Sequence, residues 1–332
     1  MGKSEAYKQR IEYIDQLKGF AILLVVMGHV FLFSFKVPNN SYVSSWIVAI
    51  SSFHMPLFAF LSGLFIRSID SWMRLHKLVE RFIIPMIVIG LTYAMWRGID
   101  VVDFMFNKDK FGYWYFLFLL SAYVIITLYE RISKAINPRD TVFLHTLLAL
   151  IFIIVLRIGG GKMPKPAYLL MGCGHLANLM PFIFAGYFLR KYDCFSKIMS
   201  NITLFNVATS VFVVFAILRY NGFMQLSIVF STCTVYVIVA LFYRYRDSCN
   251  FIKRVLSFWG RHSLEIYCIH YFFIHSCKLP FLYEYTMHRQ CSLVELLASA
   301  LLSSVFCYLS IYVCKLITQS SWMAYICFGQ RK

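Results

Sequence analysis

Two histidines stand inside strongly apolar stretches. His29 lies in "KGFAILLVVMGHVF", Lys18 to Phe31, and His54 lies in "SSFHMPLFAFLSGLF", residues 51–65. An imidazole among aliphatic side chains has two uses. It can tie its helix to a neighbour by a hydrogen bond, or it can move protons, because loss of water favours the neutral ring and a neutral ring nitrogen accepts a proton. Lys18 precedes His29 by eleven residues, three helical turns and about 20° more, so the two share a face. Asp15 sits three residues before Lys18 on the same stripe. The first helix therefore carries charge at one end of a polar edge and an imidazole deeper along it.

The elements that hold these residues are membrane helices. Of 332 residues, 60% are hydrophobic and 14% charged, and the mean hydropathy is +0.68. A soluble fold could not cover that much apolar surface. The excess of Lys and Arg is scattered over short connections between apolar runs. It fits bilayer orientation and contact with lipid or other phosphates, and it excludes a nucleic-acid partner. The ten cysteines contain no CxxC pair. Most lie in apolar runs as small buried hydrophobes. Cys277 and Cys291 flank one loop, where a disulfide would fit.

A helix needs about 20 apolar residues to cross the hydrocarbon. About ten stretches qualify on that rule: 19–36, 44–66, 82–97, 112–129, 142–158, 171–189, 202–219, 225–243, 263–282 and 293–315. The expected fold is an all-α, polytopic transmembrane bundle forming a single domain over 1–332. No small-residue cleavage site follows the first apolar run, which reads as an uncleaved span. Connections on one side hold about 22 Lys and Arg and those on the other about 10, which places both termini in the cytoplasm. With that orientation His29 lies about 15 Å from the inner end of its helix and His54 about 16–17 Å from the inner end of the next. Two imidazoles on sequential antiparallel helices then reach the same depth, where ionisable groups face a cavity or a partner.

Several ordered blocks resemble acyltransferase family 3, integral-membrane enzymes that acylate carbohydrates. "DQLKGFAILLVVMGH", Asp15 to His29, matches the family's opening pattern, with Lys18 where an arginine is usual. "FHMPLFAFLSGLF" matches at His54, Pro56, Phe58, Ser62 and Gly63. "RLHKLVERFIIP" reads as a basic loop leading to Arg81 and Pro85. "YWYFLFLL" at 113–120, "MPFIFAGYFL" at 180–189 and "WGRHSLEIYCIH" at 259–270 follow in order. The family's extracytoplasmic esterase-like domain is not expected, since Lys332 comes soon after the tenth span.

The resemblance implies transfer of an acyl group, commonly acetyl, from cytoplasmic acyl-coenzyme A to a carbohydrate hydroxyl, with no bound cofactor. It implies a multi-pass protein of the bacterial inner membrane whose partners are acyl-coenzyme A, the carbohydrate, the bilayer and polysaccharide-assembly proteins. His29 and His54 are the expected catalytic residues. Lys18, Arg81, Ser62, Tyr267 and His270 are expected to contact substrate or donor, with Arg67, Arg74 and Lys77 as further cations for the donor's phosphates. Glu265 is expected to pair with His262 or Arg261; His275 and His288 carry no expected role. Trp114, Tyr115 and Tyr187 are interfacial anchors or sugar platforms. "RIGGGKMPKP", 157–166, is not a phosphate loop, because Met163 follows the lysine where Ser or Thr is needed; it reads as a flexible outer loop. No metal-binding pattern is present. The competing reading is a multispan transporter or flippase of a polysaccharide or lipid-linked intermediate, for which intramembrane histidines would also suit. No inverted repeat supports it.

Overall fold

The computed structural model describes residues 3–35, 45–136, 140–220, 227–248, 250–279 and 292–329. Among these, helices and turns account for the whole fold and no strand occurs. The chain forms two compact units, each drawn from two separated stretches: Met1–Leu61 with Leu189–Val313, and Ser62–Phe188 with Cys314–Lys332.

Six helices are long and apolar enough to cross a membrane: Glu12–Ser34, Trp46–Gly63, Trp72–Trp96, Trp114–Ile136, Val142–Lys162 and Leu293–Ile317. Lys165–Met171 and Cys173–Lys191, bent by 44°, make a seventh if they act as one span. The sequence pattern had pointed to about ten. Ile202–Leu218 and Ile228–Arg244 are apolar helices but fall short of the about 20 residues that cover the hydrocarbon. The expected span at 263–282 is described as a helix from Ser263 to Ser276. Cys291 and His288 lie outside the described residues.

In the first unit, α1 (Lys3–His29) runs on through a π-helical turn, Val30–Ser34. The second expected span is broken into α2 (Ser45–Ser51) and α3 (His54–Gly63) by a turn at Ser52 and Phe53. Such a break needs new partners for the freed backbone groups, and the Ser231 hydroxyl donates to the Ser52 carbonyl. The second unit begins with α4 (Trp72–Trp96) and α5 (Val101–Phe106). It continues through α6 (Trp114–Ile136), α7 (Val142–Lys162) and α8 (Lys165–Met171) to α9 (Cys173–Lys191), whose last residues return to the first unit. The first unit then adds α10 (Phe195–Ser200), α11 (Ile202–Tyr220), α12 (Ser227–Arg244), α13 (Phe251–Arg261), α14 (Ser263–Ser276) and most of α15 (Ser292–Ile317). The closing helix α16 (Ser321–Phe328) belongs to the second unit.

Contact between α1 and α13 organises the first unit. A Cβ on Gly19 would lie 1.8 Å from the Leu256 carbonyl oxygen, and one on Gly260 would lie 1.8 Å from that of Asp15. The two backbones touch at reciprocal glycines, the small-residue solution to helix association in lipid. Leu17, Ala21, Val26 and Val30 are fully buried along this side of α1. Beyond it, α14 is stitched to the π turn. The Ser34 hydroxyl donates to the Ile274 carbonyl at 3.1 Å, and the Leu279 N–H donates to the Ser34 carbonyl at 2.8 Å. The Lys278 ammonium donates to the Phe33 carbonyl at 2.7 Å.

In the second unit two stretches expected as loops are helical. The basic run 74–85 forms the opening turns of α4, because the Ser71 side chain caps it by accepting from the Arg74 N–H. Gly159, Gly160 and Gly161 extend α7 as far as Lys162, leaving only Met163 and Pro164 before α8. Between α5 and α6 the backbone turns through positive φ at Lys110 and Phe111. The buried Lys110 ammonium holds this turn by donating to the carbonyls of Met105, Asn107 and Leu169 at 2.5, 3.0 and 2.9 Å; burial lowers its pKa from the usual lysine value. Next to it, Asp109 accepts from His175 at 2.9 Å, and that hydrogen bond holds its carboxyl below the usual aspartate range. The His175 ring stacks on Trp114 at 3.8 Å.

Gly260→Ala forces α1 and α13 apart and lowers stability by about 1–3 kcal/mol. Size-exclusion chromatography of heated, detergent-solubilised protein reads this loss, and a wild-type melting profile would refute the backbone contact. Lys110→Met removes charge-assisted bonds from the α5–α6 turn at a cost of about 1.5–3 kcal/mol. The same heating series would show its midpoint several degrees below wild type.

Candidate active site

The imidazoles gather where α1 gives way to the π turn. His29 is the last residue of α1, and π turns recur at functional positions because they re-aim a side chain without ending the helix. Its Nε2 shares a 2.8 Å hydrogen bond with the Tyr271 hydroxyl. Its ring centroid is 4.6 Å from that of Tyr271 and 5.4 Å from that of His270, stacked at 28°. The Tyr271 ring in turn lies 4.3 Å from His270. Phe33 closes one side, 5.9 Å from His29 and 4.7 Å from His275.

The tautomers follow from the partners. His270 is fully buried, and its Nδ1 lies 2.9 Å from the Ile266 carbonyl oxygen. A carbonyl only accepts, so Nδ1 carries the hydrogen and Nε2 of the neutral ring carries a lone pair. His54 is fixed in the same way, Nδ1 donating to the Ile50 carbonyl at 2.8 Å across the α2–α3 break. Both rings thus keep Nε2 as the acceptor. His54 and His275 lie close enough to His29 for their charges to interact with its own. His275 donates from Nδ1 to the Tyr271 carbonyl at 3.1 Å.

The structure therefore brings together His29 and His270, with His54 within electrostatic reach and the Tyr267 ring 6.1 Å from His270. It does not bring Lys18 there. Lys18 stands about 16 Å back along α1 at 1.5 Å per residue, 3.7 Å from Asp15 as the shared stripe required. Arg81 and Ser62 belong to the second unit. There the Arg81 guanidinium lies 5.9 Å from the Phe82 ring, and the Ser62 hydroxyl is 3.0 Å from that of Tyr115. Arg74 pairs with Asp70 at 3.5 Å. Glu265 pairs with His262 at 3.4 Å, while Arg261 donates to Ser257. Among the described residues no three His, Cys, Asp or Glu side chains are grouped to hold a metal.

Tyr271 is the member that sequence reasoning missed, because it falls one residue beyond the last matched block. Its spacing was a usable signal: Tyr267, Tyr271 and His275 recur every four residues and form one stripe of α14.

Chemically, the cluster offers imidazole acceptors and a phenolic donor within hydrogen-bond reach of one another. That set can take a proton from a hydroxyl, return it to a leaving group and stabilise a developing oxyanion.

No curated protein and no solved structure matches the chain. The family pattern described as an acyltransferase domain matches residues 11–318. It spans every block quoted from the sequence and, with the long apolar helices, marks a multi-pass membrane protein. The chain belongs to acyltransferase family 3.

Proposed function

We propose that this acyltransferase moves an acyl group, acetyl in particular, from acyl-coenzyme A to a hydroxyl of a cell-surface or lipid-linked carbohydrate. The observation that carries the reading is the hydrogen-bonded pair of His29 and Tyr271, with a second buried imidazole stacked beside it, in a chain of this family. The acceptor hydroxyl oxygen attacks the thioester carbonyl as its proton passes to an imidazole. A C–O bond forms, the C–S bond breaks, and the coenzyme A sulfur leaves with the proton. His29 is the imidazole that carries that proton to the sulfur, and the Tyr271 hydroxyl is placed to donate to the developing oxyanion. Positioned acid–base catalysis of this kind supplies about 10²–10⁴-fold; orientation of the two substrates supplies more.

His54 presents a further acceptor nitrogen, and Tyr267 lines the same side of α14. Lys18 and Arg81 are the cations assigned to the donor's phosphates, and Ser62 a polar contact for substrate. The Lys and Arg asymmetry supports a bacterial cytoplasmic membrane with both termini inside, where polysaccharide-assembly proteins would be neighbours.

Mass spectrometry of surface glycans from cells with and without the gene product should show an acyl increment only in its presence. Identical spectra, together with no thiol release from acetyl-coenzyme A by purified protein, would favour the transporter reading. His29→Ala, with membrane insertion verified, is expected to lower acyl transfer by at least about 100-fold; transfer at the wild-type rate would remove His29 from the chemistry. Lys18→Gln should raise the KM for acetyl-coenzyme A by about tenfold or more, the worth of one charge-assisted contact, with kcat little changed.

A further inference from the structure

The His29–Tyr271 hydrogen bond leaves one polar atom of the cluster unused. His270 Nε2 is buried and has no hydrogen-bond partner among the described residues. The ring's other nitrogen is committed to the Ile266 carbonyl at 2.9 Å, so the unpartnered nitrogen is the one with the lone pair. Buried acceptors in folded proteins are almost always satisfied, and one that is not asks for a water or a ligand to supply the donor. The Ile266 bond also means that the ring can take a second proton on Nε2 without giving up its anchor. Beside it stand the groups able to pass that proton on. The Tyr271 ring lies 4.3 Å away and His29 5.4 Å away by ring centroids, and the Tyr271 hydroxyl touches His29 Nε2 at 2.8 Å.

We propose that His270 is a second catalytic imidazole, whose Nε2 receives the hydrogen bond of the acceptor hydroxyl and takes its proton, and that Tyr271 and His29 pass the proton on to the departing sulfur. This rests on the acyl-transfer reading above. The hydroxyl O–H bond breaks as its oxygen bonds to the acyl carbon, and His270 becomes doubly protonated. Its proton moves through the Tyr271 hydroxyl to His29 and then to the coenzyme A sulfur as the C–S bond breaks. One proton travels from oxygen to sulfur and every ring ends as it began. The acceptor it selects is an alcohol presented as a hydrogen-bond donor, as a carbohydrate hydroxyl is.

The test uses full-length protein in lipid nanodiscs, acetyl-coenzyme A as donor and a surface-glycan extract from cells lacking the gene as acceptor. His270→Asn keeps an amide N–H near the Nδ1 position and deletes the Nε2 lone pair. It should lower kcat by about 100-fold or more while the KM for acetyl-coenzyme A stays within about threefold of wild type. His270→Gln, which cannot act as a base either, should lose as much. Activity within about threefold of wild type in either folded variant overturns the role of His270 and leaves acyl transfer standing. Failure of the wild type itself to acetylate the extract overturns the acyl-transfer reading and this proposal with it. Independently of any variant, ¹⁵N spectra of histidine-labelled wild type should show His270 Nε2 unprotonated at rest and shifted when the extract is added. A protonated Nε2 at rest overturns the proposal.

Discussion

Everything at the imidazole cluster depends on the close approach of α1 to α13. Gly19 and Gly260 leave no room for a Cβ on either helix, so the two backbones are held at contact distance. Since α14 begins two residues after α13 ends, fixing α13 against α1 also fixes where α14 starts. The result is that a residue ten positions along α1 from Gly19 and another ten positions along the chain from Gly260 arrive side by side as His29 and His270. Lipid supplies no hydrophobic drive to bring such helices together. Dispersion along a glycine contact does that work, and it is sensitive to a single methyl group.

The far end of the same pair is fixed differently. Around the π turn, α14 is tied by hydrogen bonds to the backbone of Phe33 and Ser34. Between these two anchors the cluster is enclosed by Phe33, Tyr267 and Tyr271, with apolar residues such as Ile266 and Ile274 completely buried behind it. Low polarity around the rings strengthens each remaining hydrogen bond and makes an unmatched one costly. Such a setting suits a site that must hold a thioester away from water until its acceptor arrives.

Much of this was legible in the sequence, for identifiable reasons. The helical class and the membrane setting follow from hydropathy alone. Asp15, Lys18 and His29 share a face because helical periodicity has no alternative, and the ion pair between the first two followed. Motif order pointed to the family. What was not legible needed the third dimension. Glycine spacing within α1 does not reveal that the partner glycine is Gly260, more than two hundred residues away. The choice of His270 over His54 as the ring stacked on His29 depends on which helices touch. The run 74–85 looked like a loop because its charges are dense, yet a single serine cap and good helix formers were enough to make it helical. Apolar stretches at 202–219 and 225–243 passed a composition rule but produced helices short for a crossing.

The π turn after His29 carries a consequence for how the chain can vary in length. Phe35 donates to Val30 five residues back, so one more residue is accommodated here than an α-helix would hold. Deleting a single residue between Val30 and Ser34 would let regular winding resume and rotate everything downstream by about 100°. Ser34 and Phe33 would then face away from α14, while His29, upstream of the change, would keep its aim. This turn acts as a phase adjuster between a face set by Gly19 and a face set by the far end of α14. Relatives of this chain that lack the extra residue must reconcile those two phases elsewhere along the helix.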